Sequence, residues 1–124
     1  MIKLIDILKE VSHWKPGQKY GNYLIDDDCK DEKTIIQFVE YNNMNPQIID
    51  IWRYAKDNFK VYPVKIFPHA IQYNTKEGKV ELEIKKDRIE MYLFVFRSIK
   101  DGYKLLGHKS KFDYKTFKEY MTKY

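Results

Sequence analysis

Glu83 and Lys85 are separated by one residue in a stretch, Lys79 to Lys86, that alternates apolar and charged side chains. On a β-strand such a pair projects from one face about 6.5 to 7 Å apart. A carboxylate and an ammonium so placed can hold a divalent cation and steady a nucleophilic water or a scissile phosphate. His69 and His108 are a second chemical resource, because two imidazoles titrating near neutral pH can share acid and base duties on a 2′-hydroxyl and a leaving oxygen. The only cysteine, Cys29, lies in the acidic run Asp26-Asp27-Asp28-Cys29-Lys30-Asp31-Glu32. Neighbouring carboxylates raise a thiol's pKa and blunt it as a nucleophile. A lone cysteine makes neither an internal disulfide nor a cysteine-rich zinc site, which predicts a reducing, cytoplasmic setting. His13, His69 and His108 are too dispersed for a zinc motif.

The triplet Glu83-Ile84-Lys85, reached through a hairpin and followed by an apolar strand, resembles the glutamate-x-lysine half of the PD-(D/E)xK nucleases. The segment from Tyr103 to Asp113 is similar to the strand, glycine and helix start that some of those nucleases carry after their catalytic lysine. The resemblance spans residues 79 to 120 and implies a metal-dependent nuclease, with Glu83 holding Mg²⁺ or Mn²⁺ and Lys85 and His69 completing the site. That family also needs an aspartate on the preceding hairpin strand, and residues 58 to 82 contain none. His69 stands roughly in its place.

Charge supports binding ahead of catalysis. Residues 1 to 62 carry nine Lys/Arg against ten Asp/Glu, a net of −1, whereas residues 63 to 124 carry fourteen against eight, a net of +6. A basic half interleaved with aromatic residues is the footprint of a nucleic-acid surface, cations meeting phosphates and ring faces meeting bases. The expected contact set is Lys85, Lys86, Arg88, Arg97, Lys104, Lys109 and Lys111, with Tyr73 and Tyr103 as stacking rings. The leading expectation is therefore non-catalytic binding of single-stranded DNA or RNA, with the nuclease as its alternative. A second alternative is a protein-binding inhibitor or adaptor, a class that includes virus-encoded proteins. The acidic run opposite a basic half suits a charged protein partner or a homodimer.

The elements that must position these residues follow from hydrophobic period. At 124 residues the chain fits one domain able to bury a core without staples. Leu4, Ile7, Leu8 and Val11 have helical spacing. Met1 to Asp6 alternate charge and apolarity too early for a signal peptide, and no apolar run reaches a membrane span of about 20 residues. Tyr20 to Ile25 and Thr34 to Tyr41 read as a strand pair around the acidic run, the second being rich in β-branched and aromatic residues, with a helix as the alternative for that second run. Asn45-Pro46 opens a middle helix with Ile48, Trp52, Ala55 and Phe59 on one stripe. Beyond residue 60 the period becomes two. Val64 to Tyr73, interrupted by Pro68, then Lys79 to Lys86, Ile89 to Phe96 and Tyr103 to His108 are predicted strand segments, Ile89 to Phe96 being apolar on both sides and so expected to be covered on both, burying Phe94 and Phe96. Ser110 to Asp113 reads as the capping box of a closing helix. The prediction is one α+β domain over 1–124, an antiparallel sheet of four to six strands with N-terminal, middle and C-terminal helices packed on it.

Overall fold

The computed structural model describes Trp14, Pro16 and residues 22–124. The spaced apolar residues from Leu4 to Val11, and His13, lie outside that set. The described chain runs β1 (Leu24–Ile25), a 3₁₀ turn (Asp26–Lys30), α1 (Glu32–Tyr41), α2 (Gln47–Phe59), β2 (Lys65–Phe67), β3 (Ala70–Asn74), β4 (Gly78–Ile84), β5 (Ile89–Ser98), β6 (Gly102–Lys109) and α3 (Tyr114–Lys123). The six strands form one antiparallel sheet in sequential order. Four hairpins build it from β2 onward, and α1 and α2 occupy the crossing from β1 to β2. This is the predicted α+β class.

One face of the sheet carries the core. Leu24, Ile66, Ile71, Tyr73, Val80, Leu82, Ile89, Met91, Leu93 and Val95 meet Ile35, Phe38, Ile48, Ile51, Trp52, Ala55 and Phe117 from the helices in one continuous cluster. The Phe117 ring of α3 lies within 6.3 Å, centroid to centroid, of Tyr54, Phe59, Tyr73 and Phe112, so aromatic packing fastens the closing helix to the sheet.

Four expectations are corrected. Residues 34 to 41 are helical, because Ile35, Phe38 and Val39 fall at i, i+3 and i+4 and bury together, and that packing overrides a β-rich composition. The closing helix is capped by Asp113, whose carboxylate accepts from the Thr116 backbone N–H at 2.8 Å, and Ser110 stands before the cap. Asn45 does cap the middle helix, its side chain accepting from the Gln47 N–H at 2.9 Å. The third correction concerns β5, which the described helices cover on one face only: Ile89, Met91, Leu93 and Val95 are buried, while Glu90, Tyr92 and Phe94 are half-buried and Phe96 is 47% exposed. The fourth is Tyr73, a predicted stacking ring. It shares the core parity of Ile71, is fully buried, and its hydroxyl finds no hydrogen-bond partner.

Candidate nucleic-acid interface

The second face of the sheet is lined by polar and aromatic side chains, and none of the described helices contributes to it. Register sets its rows. Gln72, Glu81, Tyr92 and His108 lie side by side across β3 to β6, the next row holds Asn74, Lys79, Phe94 and Leu105, and on the other side Glu83 faces Glu90. A bulge between Leu93 and Phe94 in the β5–β6 pairing lets both Leu105 and Leu106 emerge exposed on the edge strand.

At the end of this face formed by the β4–β5 turn, charges satisfy one another. Lys85 Nζ lies 2.6 Å from Glu83 Oε1 and 3.9 Å from Glu90 Oε2. Arg88 reaches Asp87 at 3.1 Å and Glu90 at 3.8 Å, and His108 Nε2 is 3.5 Å from the other Glu90 oxygen. The Lys85 hydrogen bond, aided by one from Tyr92, holds the Glu83 carboxyl below the usual carboxylate range, and the same bond raises the Lys85 ammonium. His69 lies close enough to add a smaller electrostatic pull on Glu83. The fold thus brings Glu83, Lys85, His69 and His108 to one corner and adds Glu90, which the sequence reading omitted. Among the described residues no cluster of three His, Cys, Asp or Glu side chains is arranged to hold a metal ion. A divalent cation would have Glu83 and Glu90 alone as acidic ligands, and both are engaged by Lys85.

Towards the opposite end the arrangement changes from ion pairs to rings. The Tyr92 and His108 rings stack at 4.6 Å with an interplanar angle of 16°, and Tyr92 continues to Phe94 at 6.3 Å and 23°. The Lys79 ammonium lies 5.5 Å from the Phe94 centroid and 4.9 Å from that of Tyr103, bridging the two rings by cation–π contact. Tyr103, 52% exposed, meets Phe96 edge-on at 5.5 Å. The result is a diagonal of rings, His108, Tyr92, Phe94, Tyr103 and Phe96, on a sheet face that none of the described helices covers.

The predicted cations fall into two groups. Lys85, Arg88 and Lys109 are tied to carboxylates, the last to Asp113 at 3.4 Å. Lys86, Arg97, Lys104 and Lys111 are exposed and enter no ion pair among the described residues. Lys79 and the half-exposed Phe94 are the additions that geometry makes to the contact set. Comparison with protein-family models, with curated proteins and with solved structures finds no match for this chain.

Proposed function

We propose that the protein binds single-stranded nucleic acid, without cleaving it, on the face of its sheet that none of the described helices covers. The observation that supports this reading is Lys79 seated between the Phe94 and Tyr103 rings, in line with the Tyr92–His108 stack. Ring faces offer bases a sequence-tolerant platform, and Lys79, on the same face, supplies a cation for the phosphates. A labelled single-stranded oligonucleotide, titrated at low and then rising salt, tests it. Binding that weakens linearly in log–log form with salt supports the reading, and no binding at low salt removes it.

The metal-dependent nuclease has one observation in its favour, the Glu83–Glu90 pair facing each other beside Lys85. Incubation of the same oligonucleotide with Mg²⁺ or Mn²⁺ separates the two readings. Cleavage lost in Glu83→Ala would replace the binding proposal with the nuclease, whereas intact oligonucleotide keeps binding alone.

A further inference from the structure

Where the sheet ends, the β3–β4 turn and the last residues of β5 wall a cavity of about 520 Å³. Its chemistry differs from that of the rest of the face. Phe96 and Tyr103 give it an exposed aromatic corner, and Lys76 and Arg97 face it as two cations that enter no ion pair among the described residues. Glu77 is the single carboxylate in the wall, so the lining keeps a net charge of +1. The turn is held by reciprocal bonds, Thr75 N–H to the Gly78 carbonyl at 2.9 Å and Gly78 N–H to the Thr75 hydroxyl at 3.0 Å. The turn's part of the wall is therefore held in place before a ligand arrives, which lowers the ordering cost of binding.

An aromatic corner with two cations in the same lining matches a ligand with a flat ring and a doubly charged phosphate. We infer that this cavity receives one nucleoside phosphate unit, its base against Phe96 and Tyr103 and its phosphate monoester on Lys76 and Arg97. A monoester carries more charge than the diester of an internal linkage, and an arginine fork takes it in bidentate fashion. The unit has two sources, the phosphorylated end of a strand lying on the ring diagonal or a free mononucleotide. The first source rests on the single-strand reading; the pocket chemistry does not.

The test uses the whole chain and internally labelled strands of about 12 nucleotides, phosphorylated at the 5′ end, at the 3′ end or at neither, with adenosine monophosphate as competitor. One phosphorylated form is expected to bind about tenfold tighter than the unphosphorylated strand, as charge-assisted bonds to one phosphate allow. Arg97→Gln, checked for an unchanged melting temperature, should abolish that preference. A preference without competition by the mononucleotide assigns the strand end. Mononucleotide binding that Arg97→Gln removes, with no oligonucleotide bound, assigns the free nucleotide and removes the single-strand reading. Equal affinity for all three strands with no competition overturns the pocket and leaves the single-strand reading standing; no binding of any probe overturns both.

Discussion

Glu83 and Glu90 stand directly opposite each other on β4 and β5, and both reach the ammonium of Lys85. Like charges facing across a strand pair repel, and Lys85 between them, with Arg88 beside Glu90, offsets that repulsion. Glu83 has a lowered folded-state pKa, so its contribution to stability is present above the unfolded carboxylate value and is lost as pH falls through the folded one. Lys85→Met should therefore lower the melting temperature at about pH 7, and the deficit should shrink as pH falls through the lowered Glu83 value. Thermal scans across that range check it. A deficit that is constant with pH would point to lost packing instead.

Tyr103 and Lys79 allow the binding proposal to be divided into stacking and charge. Tyr103→Ala should weaken oligonucleotide binding by about 1–3 kcal/mol with little change in salt dependence, since the ring contributes stacking. Lys79→Ala should weaken binding and lower the salt slope by about one, the signature of one lost phosphate contact. Paired titrations at several salt concentrations distinguish the two.

Most of the fold and part of the site are readable from residue order. Ile84 and Ile89 flank the four residues Lys85 to Arg88, and a symmetric turn there places Glu83 against Glu90, so the omitted partner was available from hairpin geometry alone. Tyr73 was likewise readable, because it shares the parity of Ile71 and so the core face. Other features were not. Tyr92, Phe94 and Phe96 are apolar by type, and alternation of apolar with apolar carries no sign of which face is open; only the placement of the helices decides it. In α1, Thr34, Ile35, Ile36, Phe38 and Val39 favour a strand by composition, and burial of one helical stripe against α2 and the sheet outweighs that preference.

Two glycines should respond differently to the same change. A Cβ at Gly78 would fall 1.9 Å from the Phe94 carbonyl oxygen and 2.8 Å from the Val95 Cα, both backbone atoms of the neighbouring strand. Gly78→Ala must push β4 from β5 and should cost about 1–3 kcal/mol, the range for overpacked sites. At Gly107 the obstacle is the Tyr120 hydroxyl, 2.5 Å away at the end of a side chain that can swing. Gly107→Ala should stay within about 1 kcal/mol of wild type. Urea melts of both variants give the comparison, and equal losses would contradict it.

Asp113 joins the end of β6 to α3. Its carboxylate accepts from the Thr116 N–H at 2.8 Å and from the Thr116 hydroxyl at 2.9 Å, and the backbone bond first of all holds it below the ordinary aspartate range. Asp113→Ala should lower stability by about 1 kcal/mol at neutral pH, the usual worth of an N-cap. The wild-type advantage should disappear as acid protonates the carboxylate, which denaturant melts at neutral and acid pH would show.

Cys29 is fully buried, in the 3₁₀ turn whose carbonyl at that residue accepts from the Trp52 indole at 2.8 Å. Burial first, then the Asp28 and Asp26 carboxylates, pushes its thiol up to about 12. Only a thiolate attacks a disulfide reagent, so in the native protein Cys29 has neither the charge state nor the access to react. Labelling at neutral pH should be slow without denaturant and fast in urea, with a native rate that follows the opening of the fold. The raised value also carries a stability sign. The folded form holds its proton more tightly than the unfolded chain, so this contribution is present at neutral pH and declines as pH rises from the unfolded thiol value towards the folded one. Cys29→Ser should blunt that alkaline loss while placing a hydroxyl in the buried site, at a cost visible at neutral pH. Rapid labelling of the native protein would show that the turn opens and that the acidic run does not shield the thiol.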